Sequence, residues 1–329
     1  MASVDPTTKT TYATTDWAHY SQGRPPYPQS LTELIYAYRR QHPQAQWERL
    51  VDVGAGSGIA ATNFLAEFQI IHNSDPSPSN EAQARAFLPD WAQQHGLSRT
   101  FEYSQATGEE AYQKTGEGQA DLAICATAAH FMDPDGLVTS MGKIYWMPTF
   151  PDQSSHFHEV FARTFDRVIL QRLPHRAGLA QIVSRRLAGE GVLDSLPVLD
   201  EYFEDPVRVY INPTSDGQLP YKVLFQRYGP DELPSDGGSR VRAGEQMVQL
   251  HTGVDPEADG WVFTVDHKWL LTFLNTFRPP EAKLTLENCR EELAEWDRSL
   301  EEECPSGQLR VQWPVYLVLG TRRSGSSQN

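Results

Sequence analysis

The chain has 329 residues, 39% of them hydrophobic, enough to bury a sizeable core in one large domain or two modest ones. Lysine and arginine total 28 against 43 acids, a formal net charge of −15. That balance argues against nucleic acid or anionic lipid as partner, both of which need a basic face, so a small molecule is expected. Three cysteines, Cys125, Cys289 and Cys304, form no CxxC pair and point to a reducing compartment. The polar opening "MASVDPTTKTTYATT" lacks the apolar stretch of a signal peptide, and no apolar run reaches the length of a membrane span. The expectation is a cytoplasmic protein without membrane insertion.

Residues 1–15 are Thr-rich and read as a disordered tail. From Gln29 to His42, apolar residues at Leu31, Leu34, Ile35 and Tyr38 predict an amphipathic helix behind a proline. "RLVDV" reads as a short buried strand, followed by a glycine loop and a helix over roughly 58–67. "FQIIHNSD" is a second strand ending in Asp75, and "NEAQARAFLPDWAQQHG" is helical with Pro89 interrupting it. "TFEYSQA", "ADLAICATA" and "KIYWM" follow as third, fourth and fifth strands. Strands alternating with helices over 48–150 predict a doubly wound, mostly parallel sheet. Only "AAHFMDPDGLVTSMG" separates the fourth strand from the fifth, near the minimum for a crossover of about a dozen residues.

Beyond residue 150 the pattern changes. Residues 156–190 read as helical, "RVYIN" as a short strand and 228–246 as a polar loop. "TVDHKWLLTFLNTF" and "TLENCREELAEWDRSLEEE" read as helices. "LRVQWPVYLVLGTRR" reads as a late sheet strand whose Pro314 marks an edge or a bulge, before a frayed tail from 323.

The loop Gly54-Ala55-Gly56-Ser57-Gly58 admits several readings. A phosphate-binding GxxxxGK[ST] loop fails for want of the lysine. The dinucleotide fingerprint GxGxxG fits in part, with Ile59 where its last glycine belongs. An S-adenosylmethionine site needs bare main chain beside the methionine moiety and an acid on the strand to orient the ammonium. Asp52, Gly54, Gly56 and Gly58 supply both. A plain strand-to-helix turn that binds nothing also uses glycine for positive φ. Asp75 follows Gly58 by 17 residues, close to the roughly 20-residue offset at which an acid meets a ribose diol. One carboxylate can accept from both ribose hydroxyls; read alone, Asp75 is also an ordinary turn residue.

"LVDVGAGSG" followed by "SDPSPSN" resembles the first two motifs of class I S-adenosylmethionine-dependent methyltransferases. "YSQGRPPYP", "GEEAY", "DLAICATAAHFMD" and "GVLDSLPVLDEYFEDPVRVYIN" are similar to the fungal trans-aconitate methyltransferase-like group, over most of 16–320. The resemblance implies a Rossmann-like, mostly parallel seven-stranded sheet with a helical cap inserted over 151–305. The cofactor-binding core is then 48–150, lid helices occupy 16–47, and the final sheet strand lies in 306–322. It implies that Tyr20 and Arg24 lie in a lid over the cofactor, and that Gly54, Ala55, Gly56 and Gly58 approach the methionine part. By the same resemblance Asp75 takes the ribose, Pro76 and Ser77 flank the adenosine, and Thr107, Gly108 and Glu109 meet adenine. Ala126 and Thr127 lie beside the sulfonium. His130 matches the histidine of a family "HW" motif, with Phe131 in place of tryptophan, and is the candidate general base. Plainer readings stand beside these: Arg24 as a surface cation in a weak ion pair, Glu109 as a helix-start acid, His130 as a loop staple.

Other constellations are weaker. His156, His158 and Glu159 in "HFHE" include metal-binding residue types, but an i, i+2 pair splays to different helix faces. Cys125 reads as an inert core residue and no HExxH or GxSxG occurs. The expected activity is S-adenosylmethionine-dependent methylation of a small organic acceptor, with oxygen of a carboxylic acid or secondary metabolite favoured. The short "SMGKIYWM" in place of a "PGG"-like turn motivates one alternative: a rearrangement, cyclisation or partner-binding role on the same fold. A nicotinamide-dependent oxidoreductase is the other.

Overall fold

The computed structural model describes residues 15–42, 45–116, 118–128, 132, 141–144, 148–170, 197–200, 202–213, 240–278, 283–285 and 287–323. Its centre is an eight-stranded sheet. In chain order the strands are β1 (Arg49–Val53), β2 (Ile70–Ser74), β3 (Thr100–Ser104), β4 (Leu122–Ala126), β5 (Met141–Ile144), β6 (Phe203–Ile211), β7 (Gln246–Leu250) and β10 (Val315–Arg322). Across the sheet they run β3-β2-β1-β4-β5-β10-β6-β7, while β8 (Val262–Asp266) and β9 (Gln308–Gln312) form a separate antiparallel pair. All neighbours in the large sheet are parallel except β10, which runs against both β5 and β6. The doubly wound, mostly parallel sheet expected from the strand–helix alternation is therefore present, with eight strands among the described residues where seven were expected.

The chain winds β1-β2-β3 to one side and then returns to place β4 on the other flank of β1. This reversal leaves a crevice at the carboxyl ends of β1 and β4, the place where open α/β sheets bind ligands. β1 is buried along nearly its whole length, as a strand covered on both faces must be.

Among the described residues two helices precede the sheet. α1 (Trp17–Gln22) starts on Asp16, whose side chain accepts from the His19 N–H at 3.1 Å. α2 (Gln29–Arg40) buries Leu31 and Ile35 against the sheet, four residues apart on one face. After β2, α3 (Pro78–Gln94) begins on a Ser77 cap with Pro78 in its first turn, where a missing N–H is harmless. It runs through Pro89, which is exposed, without breaking.

Three expected elements differ. The helix over roughly 58–67 is only a 3-10 turn at Ala61–Phe64. Side chains compete with the helical ladder there: Thr62 Oγ1 donates to the Ile59 carbonyl at 2.7 Å, and the Asn63 amide donates to the Tyr27 carbonyl at 3.0 Å. "TVDHKWLLTFLNTF" divides at Asp266 into β8 and a helix, labelled α6 (His267–Asn275), because that carboxylate caps the Trp269 N–H at 2.7 Å. Pro314 is neither edge nor bulge; it separates β9 from β10, which belong to different sheets. The segment 151–305 is also not wholly helical, since it supplies β6 and β7 to the main sheet.

Short α4 (Ala111–Thr115) follows β3, and α5 (Ser155–Phe165) and α7 (Arg290–Glu303) complete the helices used here. Phe150, Phe157, Phe161 and Trp296 form an aromatic cluster between α5 and α7, with ring centroids 4.8–5.1 Å apart in edge-on or tilted pairs.

Candidate functional site

The crevice is shaped by the glycine loop. Gly54, Gly56 and Gly58 have φ of +67°, +57° and +83°, a region that other residues enter at a cost. Close approach also excludes a side chain. A Cβ on Gly54 would stand 2.5 Å from that of Ala128, and one on Gly56 would stand 2.6 Å from the Trp17 ring. The Gly54 and Ala55 N–H groups donate to the Ser74 carbonyl at 2.8 and 3.1 Å, which ties the loop to the end of β2.

Asp75 sits at that end, nearly buried, and organises the rim. Its Oδ2 accepts from the Gly56 N–H at 2.8 Å; its Oδ1 accepts from the Ser77 N–H at 2.9 Å and the Asn80 amide at 3.1 Å. Three of about four carboxylate acceptor positions are thus occupied. The bidentate grip on a ribose diol expected from the sequence reduces to one open position, on Oδ2. Asn80 also accepts from the Trp17 indole N–H at 3.2 Å, so the indole over Gly56 is latched through Asn80 to Asp75.

Asp52 is the electrostatic anomaly. Its side chain is 1% exposed, and neither oxygen has a hydrogen-bond partner. Burial, then repulsion from Asp75, push its carboxyl up to about 8, against a weak opposing pull from the Ala61 N–H. That N–H is already committed to the Gly58 carbonyl at 3.1 Å, which leaves the Asp52 oxygens unpaired.

These groups border a cavity of about 1010 Å³, open solvent at its mouth included. Of the residues predicted for the site, Tyr20, Asp52, Gly54, Ala55, Gly56, Asp75, Pro76, Thr107, Gly108, Glu109, Ala126 and Thr127 line it. Thr127, at the end of β4, has φ +56°, strained for a β-branched residue and of the kind that gathers at functional sites. Gly58 and Ser77 stand behind the wall, the first against Leu88 and Asn73, the second capping α3. His130 lies outside the described residues.

Arg24 is also absent from the lining. It is not a surface cation: its side chain is buried, its Nε donates to Thr276 Oγ1 at 3.0 Å, and its guanidinium lies 4.2–5.1 Å from the Tyr20, Phe273 and Phe277 rings. With Gly23, whose Cβ would meet the Thr272 carbonyl at 2.7 Å, it fastens α1 to α6. α1 is thus anchored while its Tyr20 and Trp17 face the cavity.

Trp17, Asn80 and Met132 also line the cavity and were not predicted. Trp17 sits three residues before Tyr20 in the lid and carried its own signal as a large aromatic at a helix start. Asn80 and Met132 carried none. Met132 Sδ touches Cys125 Sγ at 3.8 Å and occupies the space a Gly108 side chain would take. Burial raises the Cys125 thiol well above its ordinary range, in keeping with an inert core residue.

The "HFHE" residues serve the fold. His158 accepts from the Phe150 N–H at 2.9 Å and bonds the Ser154 carbonyl at 2.9 Å, while Glu159 pairs with Arg163 at 3.6 Å. Among the described residues no group of three His, Cys, Asp or Glu is placed to hold a metal ion, and no helix is long and apolar enough to cross a membrane.

The pocket fits a ligand with a cation near Asp52, a hydroxyl-bearing ring near Asp75 and an apolar plane against the Trp17–Met132 wall. Bare main chain at Gly54 and Gly56 leaves room for it, and the unpaired Asp52 oxygens are free to accept from its cation. S-adenosylmethionine has those parts.

No family model matches the chain. Among curated proteins it is 34% identical over 323 residues to methyltransferase tpcM of Aspergillus fumigatus, covering 93% of this chain and 91% of that one. It is 22% identical over 324 residues to a methyltransferase of Claviceps purpurea, covering 94% and 92%, and 24% identical over 327 residues to methyltransferase gedG of Aspergillus terreus, covering 93% and 91%. Among solved structures the YcgJ protein of Bacillus subtilis aligns over 90% of this chain and 99% of its own at 14% identity, with a TM-score of 0.38, too distant to carry weight.

Proposed function

The chain belongs to the S-adenosylmethionine-dependent methyltransferases, and on that premise we propose that it methylates an oxygen atom of a small organic acceptor, a carboxylic acid or secondary metabolite. The observation that carries the placement of the cofactor is the unpaired Asp52 carboxylate beside bare main chain, at the switch point of the sheet.

Bound in this pocket, the cofactor supplies a methyl group already activated on a sulfonium. Asp52 receives the ammonium of the methionine moiety, and Gly54 and Gly56 let that moiety lie against the backbone. Asp75 accepts from a ribose hydroxyl through its open Oδ2 position. Pro76 borders the adenosine, and Ser77, behind the wall, acts through the Asp75 carboxylate that its N–H supports. Thr107, Gly108 and Glu109 form the wall toward adenine. Ala126 and Thr127 hold the end of β4 against the reacting centre, and Trp17 and Tyr20 shield it from water. Orientation alone supplies about 7–11 kcal/mol to such a displacement, so a chain that aligns two reactants need do little else. A carboxylate acceptor needs no base; a phenol or alcohol draws on one, and His130 is assigned that role by resemblance.

Two measurements test this. Calorimetric titration with S-adenosylmethionine is expected to show saturable binding that Asp75→Ala weakens; no binding to the unmodified chain would end the proposal. Incubation with methyl-labelled cofactor and a panel of aromatic and aliphatic carboxylic acids is expected to yield S-adenosylhomocysteine in step with a labelled ester. Label found only on carbon or nitrogen would correct the acceptor atom.

A further inference from the structure

Two buried side chains without a hydrogen-bond partner lie side by side beneath the glycine loop. Asp52 of β1 and Asn73 of β2 are register partners in the parallel pair, so both project from the same face of the sheet. Each is 1% exposed, and all four polar atoms, Asp52 Oδ1 and Oδ2 with Asn73 Nδ2 and Oδ1, lack a partner. Buried amides are nearly always satisfied, so an orphan donor next to an orphan acceptor asks for an explanation. Gly58 leaves room for this amide: the Asn73 Nδ2 stands 2.9 Å from where a Gly58 Cβ would be.

No other neighbour does the work. On the far side of Asp52 its β4 partner is Ile124, which is apolar, and the Ala61 N–H above it already serves the Gly58 carbonyl. The charged group whose field reaches Asp52 most strongly is Asp75 at the end of β2, which repels it; the thiol of Cys125 on β4 is the other titratable neighbour and is held neutral by burial. A buried carboxylate without a donor takes up a proton, and a neutral acid attracts an ammonium group weakly.

We propose that Asn73 is a positioning residue for Asp52: once the ammonium of the bound cofactor has displaced the carboxyl proton to solvent, the Asn73 side-chain amide, directly or through one internal water, donates to the carboxylate and holds it aimed at that ammonium. The inference rests on the cofactor placement given above. The donor on Asn73 is neutral, so it supports the carboxylate without competing with the incoming cation, as a lysine or arginine would. In the empty pocket the acid keeps its proton; the arriving ammonium releases it, and the amide then steadies the carboxylate.

The test compares two nearly isosteric variants, Asn73→Thr, which retains a donor, and Asn73→Val, which does not. Binding is read by calorimetry between pH 6 and 8.5 with two probes: S-adenosylhomocysteine, which carries the ammonium, and 5′-methylthioadenosine, which lacks the amino-acid moiety. Asn73→Val is expected to weaken S-adenosylhomocysteine binding at pH 7 by about tenfold and to displace its rise with pH upward by about one unit. Methylthioadenosine binding should stay within about twofold, and Asn73→Thr should restore most of the loss. Equal weakening of both nucleosides, or identical profiles for Thr and Val, overturns the assignment. Should Asn73→Val fail to fold by circular dichroism, the Asn73→Ser and Asn73→Ala pair reads the same difference. If the unmodified chain binds neither probe, the cofactor placement itself falls; if it binds both and the variants coincide, only the role of Asn73 does.

Discussion

Asp52→Asn is expected to make the empty protein more stable at neutral pH while abolishing tight cofactor binding. In the unfolded chain this carboxyl titrates near 3.8; in the folded chain burial, and then Asp75, push it up to about 8. Between those values the folded state holds a proton that the unfolded state has released. Stability from this group is therefore greatest below pH 3.8 and falls as pH rises toward 8. Each unit costs about 1.4 kcal/mol, so by pH 7 the wild type has lost about 4 kcal/mol that an asparagine, which does not titrate, retains. Unfolding entropy of about 2.1 cal/mol/K per residue converts this to a rise in Tm of roughly 6 °C for a chain of this length. Differential scanning calorimetry of both proteins at pH 4 and pH 7 reads it directly: the two melting points should nearly coincide at the acid end and separate at neutrality. Saturating S-adenosylhomocysteine should then reverse the order at pH 7, because only the wild type offers a carboxylate to the ammonium. Melting curves that stay parallel from pH 4 to pH 7 would refute the claim that Asp52 is buried without compensation.

Other outcomes follow from the lid and the strained strand end. Trp17→Ala removes the indole over Gly56 and its bond to Asn80, and stopped-flow release of S-adenosylhomocysteine is expected to quicken about tenfold; an unchanged rate would show that the indole does not retain the ligand. Arg24→Met keeps the length of the side chain but removes the cation from its three-ring cage and the bond to Thr276, at a cost of about 1–3 kcal/mol. Hydrogen exchange in α1 should accelerate with it, and protection equal to wild type would rule out the anchoring role. Thr127→Gly relieves a left-handed backbone worth about 1–2 kcal/mol, so Tm should hold or rise slightly while methyl transfer slows. A drop in Tm would mean that Thr127 contributes packing rather than strain.

How much of this was written locally differs from residue to residue. Asp52, the glycines and Asp75 were legible because their chemistry is tied to short spacings: a buried strand must run into glycines to expose main chain, and the next strand must end in an acid to meet the same ligand. Arg24 was legible as a lid residue but not in its role, because its aromatic cage comes from Phe273 and Phe277, some 250 positions away. The helix expected after the glycine loop was lost to side-chain bonds from Thr62 and Asn63, one of which reaches back to Tyr27.

The sequence by itself determined the alternating strands and the residue types at the mouth of the first strand, since these depend on neighbours within a turn or two. Only the tertiary structure decided that β10 inserts antiparallel between β5 and β6, that Trp17 closes over Gly56, and that Asn73 stands beside Asp52. Those outcomes turn on which strand pairs with which and in what register, and a shift of one residue would turn Asn73 to the opposite face of the sheet.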